Sequence, residues 1–388
     1  MKTQVAFVGA GPAGLFLSHL LSAAGIRCLV IERQARSYVE SRGRAGLLET
    51  ATADLLTSLG LDDRMKAQGL LHDGFNLADG QTFIHIDIAG LTGRRVTVYG
   101  QTEITHDLIE AAPKRGVDII WEARDVTLHS IEHDPFVTYW KDDKPNRVDA
   151  DFIIGCDGFH GVSRPTLSPY STQQFEHSYP FGWLGILADV APCSEELIYS
   201  NHERGFALAS MRSKSRSRYY IQVPVDTPLD EWPDERLWDE LALRLGPVVA
   251  MRMTRGPAIE KSIAPLRSYV FEPMQYKRLF LAGDAAHIVP PTGAKGLNLA
   301  VSDVTYLSDA LIAWCKHGRD EGLLTYSDRA LARVWKAQRF SWYLTKLMHR
   351  FPKDGEFERR MQLAELDYIS TSTPMQKSIA ENYAGLLL

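Results

Sequence analysis

The feature that most constrains this chain is a glycine turn placed between a predicted strand and a predicted helix. Gly9, Gly11 and Gly14 have the spacing GxGxxG, follow an apolar run at residues 4–8 and lead into a leucine-rich helical pattern. In such a unit the first glycine allows a tight turn, the second lets the backbone approach a pyrophosphate, and the third lets the helix pack on the strand. The pattern predicts a βαβ unit that binds a dinucleotide.

Glu32 supports the same prediction, because it ends the apolar run that follows the helical pattern. A carboxylate at the end of the second strand accepts hydrogen bonds from ribose hydroxyls. The helix N-terminus presents free N–H groups to the phosphates. Taken alone, the unit fits FAD and a nicotinamide dinucleotide equally, and a glycine turn without a ligand is the alternative.

Composition excludes several other classes of protein. The 388 residues carry a formal net charge of −5, which does not favour a nucleic acid or an anionic membrane as partner. The four cysteines have no CxxC spacing, so we expect free thiols and no metal site. No apolar stretch reaches the roughly 18 residues of a membrane span, and we expect a cytoplasmic protein.

The order of the predicted elements indicates an α/β fold with an FAD-type βαβ framework, an inserted mixed or antiparallel sheet and a C-terminal helical region. Strand patterns without intervening helices cover residues 183–189, 196–200, 205–212 and 217–224, and helical patterns follow from Gly296 to about residue 349. We expect a dinucleotide-binding domain at 1–173, in which 73–98 partly joins the substrate sheet, a substrate-binding sheet at 174–288 and a loop with interface helices at 289–388.

Two further motifs narrow the ligand. Residues 157–164 are DGFHGVSR and residues 283–298 are GDAAHIVPPTGAKGLN. With the glycine turn, in this order and spacing, they resemble the signature motifs of the class A flavoprotein aromatic hydroxylases. The resemblance extends to the members of that family that act on 4-hydroxybenzoate, through RSYVESRGRAG (36–46), VYGQTE (98–103), YPFGWLG (179–185), RGFAL (204–208), RSRYY (216–220), SIAPLRS (262–268) and ENY (381–383).

The resemblance implies an FAD-dependent monooxygenase. Such an enzyme uses NADPH and O2 and hydroxylates 4-hydroxybenzoate to 3,4-dihydroxybenzoate through a flavin C4a-hydroperoxide. Besides the glycine turn and Glu32, it implies cofactor contacts at Arg42, Arg44, Gln101, Asp157, Arg218, Asp284, Lys295, Leu297 and Asn298.

Physical chemistry supports part of this set. Asp284 follows a predicted buried strand, where its carboxylate accepts hydrogen bonds from flavin ribityl hydroxyls. The helix predicted after residues 290–293 directs its positive end toward an anionic reduced flavin, and Lys295 adds a charge. The alternatives are an N-cap role for Asp284 and a solvated surface position for Lys295.

A predicted hairpin supplies the substrate contacts. Side chains alternate along a strand, so Ser210 and Arg212 share a face of one strand, and Arg218 and Tyr220 share a face of the next. A guanidinium is well shaped to bind a carboxylate through two hydrogen bonds. The resemblance implies that Ser210, Arg212 and Tyr220 bind the benzoate carboxylate, whereas an exposed edge-strand charge is the alternative for Arg212.

The resemblance further implies a network that activates the phenol. Tyr199 meets the 4-hydroxyl, and Tyr383 and His72 carry its proton toward solvent, which suits a histidine that titrates near pH ~6.5. The backbone carbonyl of Pro291 faces the reacting oxygen atoms. Trp183 and Leu197 form walls of the pocket.

Basic and polar residues are expected to bind the electron donor. No second GxGxxG is found, so we expect no separate nicotinamide domain. The resemblance implies that Arg33, Gln34, Tyr38 and Arg42 favour the 2′-phosphate of NADPH. It assigns the pyrophosphate to His160, Arg164 and Arg267. A solvated basic helix face is the alternative, above all for Arg36.

Two rival functions stay open at this point. One is a hydroxylase of the same class that acts on another hydroxybenzoate. The other is a non-catalytic flavin-fold binding protein, which is expected to lack both of the further motifs. We expect a homodimer formed through the C-terminal helices.

Overall fold

Strands and helices alternate through the first three quarters of the chain, and helices dominate the last quarter. The structure is a computed structural model that describes residues 1–41, 46–79 and 82–386. Arg42 and Arg44, which the resemblance places at the cofactor, lie outside the described residues.

Twenty strands occur in the described part of the chain, and their bounds follow in chain order. They are β1 Val5–Val8, β2 Cys28–Ile31, β3 Leu47–Leu48, β4 Leu70–His72, β5 Gly74–Ala78, β6 Phe83–Asp87, β7 Val96–Val98, β8 Asp118–Ile120, β9 Arg124–His129, β10 Phe136–Lys141, β11 Lys144–Asp149, β12 Phe152–Gly155, β13 Gln173–Ala188, β14 Ile198–His202, β15 Gly205–Ser213, β16 Arg216–Pro224, β17 Glu260–Glu272, β18 Gln275–Tyr276, β19 Leu279–Leu281 and β20 His287–Ile288.

Thirteen α-helices occur in the same described ranges. They are α1 Pro12–Ala23, α2 Arg36–Ser41, α3 Thr50–Ser58, α4 Asp63–Gln68, α5 Ile88–Thr92, α6 Gln101–Ala111, α7 Ser163–Leu167, α8 Asp234–Leu245, α9 Pro247–Ala250, α10 Gly296–His317, α11 Glu321–Met348, α12 Glu356–Thr371 and α13 Thr373–Ala384.

The dinucleotide-type framework is a six-stranded sheet in the order β18-β19-β12-β1-β2-β8. The strands from β19 to β8 are parallel, and β18 pairs antiparallel at the edge. Every residue of β1, β2, β12 and β19 is buried, as expected for parallel strands covered on both faces. Helix α1 packs against α10, so the glycine turn and the start of α10 belong to one core.

The inserted sheet has eight strands in the order β20-β17-β13-β16-β15-β14-β5-β6. Its pairings are antiparallel except for the parallel pair of β14 and β5. The strands β5 and β6, which lie between residues 74 and 87, therefore join this sheet although they precede it in the chain. The predicted fold class, an α/β framework with an inserted mixed sheet and C-terminal helices, is confirmed.

The structure corrects the bounds of two predicted elements. The strand expected at 183–189 begins at Gln173 and runs for 16 residues, because its first half pairs with β17 instead of packing in the core. The helical region continues beyond residue 349 through α12 and α13, which carry few buried residues and so show only a weak apolar period. Among the described residues, no helix is both long and apolar enough to span a membrane. The division of the chain at residues 173 and 288 stays a prediction.

The tight packing at the glycine turn predicts a local sensitivity to side-chain size. A Cβ atom on Gly14 would lie 2.3 Å from the carbonyl oxygen of Gly9, whereas a Cβ on Gly11 would meet nothing nearer than 3.8 Å. We expect Gly14→Ala to lower the free energy of unfolding of the FAD-free protein by about 1–3 kcal/mol. The matched control Gly11→Ala should change it by less than about 0.5 kcal/mol. Equal urea unfolding midpoints for the two variants would contradict this account.

Candidate active site

The glycine turn leaves backbone exposed where a pyrophosphate would approach. Gly9 has a φ of +105°, and a Cβ there would lie 2.5 Å from the carbonyl oxygen of Cys156. Gly14 packs just as closely on Gly9. Only Gly11 has free space on its Cα, because the nearest atom to an added Cβ is 3.8 Å away. Gly9 and Gly14 therefore allow close backbone packing, whereas the open side of Gly11 is available to a ligand.

Two carboxylates flank this turn. Glu32 is buried, and its two oxygens accept hydrogen bonds of 2.8 Å from the backbone N–H groups of Ala10 and Gln34. Asp157 uses Oδ2 to accept from the N–H and hydroxyl of Ser163, while its buried Oδ1 has no partner. Burial raises the pKa of Asp157. The free oxygen of Asp157 and the open face of Gly11 fit a bound dinucleotide such as FAD.

The proline-rich segment ends in the N-terminus of α10. Asp284 lies in the short turn Gly283–Ala285, directly after the buried strand β19. Asn298 is buried and fully engaged. Its side-chain oxygen accepts from the N–H of Glu49 and the hydroxyl of Thr52, and its amide group donates to the carbonyls of Leu47 and Ala294. Asn298 thus fixes the start of α10 against the segment that precedes α3.

Two other predicted cofactor residues stand at helix starts. Leu297 is half-buried in the first turn of α10, and Gln101 begins α6. The N–H groups of the first turn of each helix have no partners within the helix, which favours a negatively charged ligand nearby.

Lys295 does not occupy the solvated surface position that the sequence left open as an alternative. It is buried and forms an ion pair of 2.6 Å with Glu49, and it donates to the carbonyl of Tyr383 at 3.0 Å. The second carboxylate oxygen of Glu49 pairs with Arg333 at 2.8 Å. Burial lowers the pKa of Lys295, and Glu49 opposes that shift. Its charge is therefore engaged within the protein and is neither solvated nor free, which a prediction from the local motif could not foresee.

The substrate residues predicted from the hairpin lie on one face of the large sheet. In the register of the strands, Tyr199 of β14 is opposite Leu208 of β15, and Leu208 is opposite Tyr220 of β16. Paired residues project from the same face, so Tyr199 and Tyr220 are separated by two strand spacings, about 10 Å. On the next strand Gly185 is opposite Tyr220, and a Cβ there would lie 2.6 Å from the tyrosine ring.

Arg212 occupies an irregular position on this face. The pairing of β15 and β16 shifts register between Met211 and Ser213, so the bulge turns Arg212 out of the regular ladder. Its guanidinium lies beside Tyr220 and Tyr199, and burial lowers its pKa. No acidic residue of the described ranges forms an ion pair with Arg212, in contrast to its neighbour Arg218. Arg212 is half-buried on an interior strand of the sheet and has no acidic partner among the described residues, so the exposed edge-strand alternative is wrong.

Ser210 and Arg218 face each other across the same hairpin. They are paired in register, and Ser210 is buried. Arg218 forms an ion pair of 3.0 Å with Glu260, and its guanidinium lies 5.2 Å from the centre of the Tyr220 ring. Its Nε atom is buried without a partner. Arg218 thus has one neutralised end and one donor left for another group.

Two tyrosines far apart in sequence meet at the other end of this face. The hydroxyls of Tyr199 and Tyr383 lie 2.8 Å apart, and both side chains are buried. Burial raises the pKa of Tyr199 to about 12, although the hydrogen bond from Tyr383 and the charge of Arg212 lower it in part. Phe75 stacks on the ring of Tyr383 at 4.1 Å. The pair is neutral near pH 7 and can exchange a proton through the shared hydrogen bond.

The third member of the predicted relay is not joined to this pair. His72 ends β4 and is buried, and neither of its ring nitrogens has a hydrogen-bond partner. Burial lowers its pKa, while Glu196, Glu195 and Asp73 act in the opposite direction. The structure thus places His72 near acidic groups but provides no direct hydrogen bond from Tyr383.

The next residues are Pro291 and the two predicted walls of the substrate pocket, Leu197 and Trp183. The carbonyl of Pro291 accepts a hydrogen bond of 2.9 Å from the N–H of Ala294, which uses one of its two lone pairs. Leu197 is buried in the same core as Trp183. The indole of Trp183 donates to Nε2 of His349 at 2.7 Å, and its ring lies tilted against that of Tyr220, with 5.1 Å between the ring centres. His349, which the sequence did not reveal, is buried with a pKa of about 3 because burial disfavours its charge.

The predicted donor residues fall into two groups. Arg164 and Arg267 both lie against the ring of Phe159, at 4.0 Å and 4.6 Å from its centre. His160, next to that ring, is exposed. The remaining described residues of the set flank the start of α2, where two are exposed and one is half-buried; they are Arg33, Tyr38 and Gln34. Arg36 is engaged by Glu40 and Glu110.

A possible metal group also lies at α2 and α6. The ligand atoms of Glu40, His106 and Glu110 lie within 4.8 Å of one another. Arg36 already forms ion pairs with both carboxylates, and the group is partly exposed. We therefore assign no metal to it.

A buried pair that the sequence did not predict supports the turn that carries Asp284. His287 and Asp303 lie 2.6 Å apart, and the same carboxylate oxygen of Asp303 accepts from the N–H of Gly283 at 2.9 Å. Burial alone would lower the pKa of His287, but the Asp303 carboxylate more than offsets this and raises it. The motif GDAAH contains the histidine, yet its partner lies in the helix that follows.

Comparisons with known proteins agree with this geometry. The family model described as an FAD binding domain matches residues 2–341. A p-hydroxybenzoate hydroxylase of Acinetobacter baylyi is 52% identical over all of this chain and 96% of its own length. A 3-(3-hydroxy-phenyl)propionate/3-hydroxycinnamic acid hydroxylase of Mycolicibacterium smegmatis is 23% identical over 84% of this chain and 57% of its own length. The crystal structure of p-nitrophenol 4-monooxygenase from Pseudomonas putida has the same fold, with a TM-score of 0.85, 19% identity and complete coverage of both chains.

The pair of His287 and Asp303 predicts a pH dependence of stability. Because the folded state raises the pKa of His287, the pair stabilises fully below the unfolded value of about 6.5 and less as pH rises through the folded value. We expect the stability advantage of the natural protein over Asp303→Asn to be largest below pH ~6.5 and to shrink above it. Urea unfolding at a series of pH values measures this, and an advantage that is constant with pH would contradict it.

Proposed function

The chain belongs to the FAD-binding-domain family that includes the flavoprotein aromatic hydroxylases, and from this we infer that it hydroxylates 4-hydroxybenzoate to 3,4-dihydroxybenzoate. FAD is its bound cofactor, and NADPH and O2 are its co-substrates. The observation that carries the substrate assignment is Arg212, a half-buried guanidinium on an interior strand that has no acidic partner in the described ranges. An aromatic carboxylate supplies the missing charge.

The carboxylate end of the substrate is assigned to Arg212, Ser210 and Tyr220. A guanidinium and two hydroxyls offer donors from neighbouring strands, which suits the two oxygens of a carboxylate. The lack of a side chain at Gly185 leaves the Tyr220 ring room to lie flat against the sheet. Binding at this end fixes the direction in which the aromatic ring points.

The phenol end is assigned to the tyrosine pair. Tyr199 and Tyr220 are two strand spacings apart on the same face, which leaves about 10 Å for one aromatic ring and its two polar substituents. Trp183 and Leu197 are buried next to this row and exclude water from the ring. The 4-hydroxyl then meets the hydroxyl of Tyr199, which in turn bonds Tyr383.

The tyrosine pair is proposed to remove the phenol proton. Hydroxylation beside a phenol is electrophilic, and a phenolate ring is richer in electrons than a phenol ring. A phenol with a pKa near ~10 stays protonated at neutral pH unless its site favours ionisation, at about 1.4 kcal/mol for each pKa unit. The positive charge of Arg212, which acts on Tyr199, favours the negative form at this end of the site. His72 is the proposed exit to solvent, and a water molecule or a movement must complete the link from Tyr383.

Bound FAD, once reduced by NADPH, supplies the activated oxygen atom that enters the ring. The proposed contacts of the cofactor are the open face of Gly11, the carboxylates of Glu32, Asp157 and Asp284, and the helix starts at Gln101 and Leu297. The buried Nε–H of Arg218 has no partner and is the proposed donor to the cofactor. The proposed NADPH contacts are Arg164 and Arg267, with His160, and the residues Arg33, Gln34 and Tyr38 for the 2′-phosphate. Pro291 is proposed to offer its carbonyl to the reacting hydroxyl.

We also propose a cytoplasmic homodimer. The four cysteines are free, which is typical of a reducing compartment. Large apolar side chains are exposed on the C-terminal helices, including Trp342, Phe357, Met361 and Tyr368. Such side chains favour burial against a second copy.

A panel of hydroxybenzoates tests the substrate assignment. With FAD bound, 4-hydroxybenzoate should stimulate NADPH oxidation and yield 3,4-dihydroxybenzoate, while the 2- and 3-hydroxy isomers should yield little product. Preference for another isomer would replace this substrate within the same class of enzyme. A protein that binds FAD but hydroxylates no member of the panel would favour the non-catalytic alternative.

The carboxylate assignment predicts a large effect of Arg212. We expect Arg212→Met to weaken 4-hydroxybenzoate binding by about 2–5 kcal/mol, because a desolvated carboxylate loses its charged partner. FAD content should stay near normal. The matched control is Arg216→Met, which removes an exposed arginine that pairs with Asp189 at 2.6 Å. Titration calorimetry measures both, and equal affinities in the two variants would show that Arg212 does not bind substrate.

The phenol assignment predicts that Tyr199→Phe separates binding from hydroxylation. The variant keeps the ring but loses the hydroxyl that meets the substrate, so binding should weaken by at most about 1–3 kcal/mol. NADPH oxidation should continue while 3,4-dihydroxybenzoate falls and hydrogen peroxide rises, because the phenol stays protonated. Assay of NADPH, product and peroxide in one reaction measures this. One product per NADPH in the variant would leave Tyr199 as a pocket wall only.

A further inference from the structure

Three cations from distant parts of the chain bind backbone carbonyls at the end of α13. The ammonium group of Lys295 donates to the carbonyl of Tyr383 at 3.0 Å. A guanidinium nitrogen of Arg333 donates to the carbonyl of Leu386 at 2.5 Å. Arg94 donates to the carbonyl of Gly385. The chain segment that carries Tyr383 is therefore held through its backbone from three sides.

The end of this helix needs such donors. The last carbonyls of an α-helix have no partners within the helix, and they are commonly satisfied by N–H groups of the residues that follow. Gly385, the residue after α13, has a φ of +97° and a ψ of 129°, and its N–H makes no capping bond to the preceding turn. Lys295 takes this role for the carbonyl of Tyr383, while Arg94 and Arg333 bind the carbonyls of Gly385 and Leu386, which follow the helix. Positive charges at this place also suit the negative end of the helix dipole.

Glu49 forms ion pairs with two of these three cations. Its two carboxylate oxygens pair with Lys295 at 2.6 Å and with Arg333 at 2.8 Å, and the side chain is buried. A Cβ atom on Gly385 would lie only 2.0 Å from the Glu49 carboxylate. The segment thus lies directly on the carboxylate that organises its donors, and only glycine fits at that position.

Arg333 has a role that a lysine cannot take. One terminal nitrogen binds the carbonyl of Leu386 while the other binds Glu49, so a single planar group bridges the tail and the framework. Arg94 makes one contact with the tail, which any cation of similar reach can make. The two arginines therefore predict different responses to replacement by lysine.

We propose that Arg94 and Arg333 are positioning residues for hydroxylation, because they bind the carbonyls of the two residues that follow α13 and so hold the Tyr383 hydroxyl against that of Tyr199. This inference rests on the proposed role of the tyrosine pair. Neither arginine touches the pair itself. Phe75 stacks on the ring of Tyr383 and supports it, but this contact provides no hydrogen-bond donor for the backbone carbonyls at the end of the segment.

Hydrogen exchange tests this anchoring of the residues after α13 independently of any reaction. In the FAD-bound protein, we expect the amides of residues 382–386 to exchange about tenfold faster or more in Arg94→Met and in Arg333→Met, because charged hydrogen bonds at this end are lost. Arg94→Lys should match the natural protein, and Arg333→Lys should not. The control Arg329→Met removes an exposed cation one turn before Arg333 on α11, where it lies over the ring of Tyr306, and should have no effect. Unchanged exchange in both methionine variants would overturn the proposal.

The ionisation of bound substrate tests the consequence for the site. The absorbance of bound 4-hydroxybenzoate reports the pKa of its phenol. We expect Tyr383→Phe and Arg333→Met each to raise this pKa by about one unit. The double variant should show no further rise, since the arginine acts only through the tyrosine. The ratio of product to NADPH consumed should fall in parallel, and Arg329→Met should retain both natural values.

The outcomes separate this proposal from the one on which it rests. If Tyr383→Phe raises the phenol pKa and Arg333→Met does not, the arginine is not a positioning residue while the role of the tyrosine pair stands. Additive shifts in the double variant would likewise overturn the positioning role. If Tyr383→Phe leaves the pKa unchanged, the role of the tyrosine pair and the positioning role both fail.

Discussion

The hydrogen bond between Tyr199 and Tyr383 ties the substrate face of the large sheet to the C-terminal helix. The two hydroxyls are 2.8 Å apart although the residues are 184 positions apart in the chain. A buried hydroxyl without a partner costs about 1–3 kcal/mol, so each tyrosine fixes the other. The bond therefore links α13 to β14, and the contacts of Arg94 and Arg333 hold the two residues that follow α13.

A second constraint is the charge at the opposite end of the site. Arg212 is placed by a β-bulge beside two tyrosines and has no acidic partner in the described ranges, so no carboxylate of that part of the chain neutralises its charge. An unpaired buried charge destabilises a protein, and an anionic ligand that pairs with it stabilises the folded state as it binds. Glu260 neutralises the charge of Arg218 within the protein. The two arginines therefore differ in whether a carboxylate of the protein neutralises their charge.

Local sequence patterns predicted the dinucleotide-binding framework, whereas contacts between distant parts of the chain became known only from the structure. The glycine turn, β1, α1 and β2 follow from spacing and periodicity, because their physics is contained in some thirty residues. The strand β17 and the helices α12 and α13 escaped prediction since pairing and tertiary contacts, not an apolar period, define them. For the site, resemblance named Tyr199 and Tyr383 and the structure brought them together. Glu49, Arg333 and His349 were missed, because no local signal marks a residue whose partners lie elsewhere in the chain.

The central claim is that this chain inserts one oxygen atom from O2 into 4-hydroxybenzoate beside its hydroxyl. The most direct test is a single turnover of the FAD-bound, NADPH-reduced protein with 4-hydroxybenzoate under ¹⁸O₂, followed by mass spectrometry of the product. The account predicts 3,4-dihydroxybenzoate that contains one ¹⁸O atom. Recovery of unchanged 4-hydroxybenzoate with all electrons in hydrogen peroxide, or a product whose new oxygen comes from water, would contradict it.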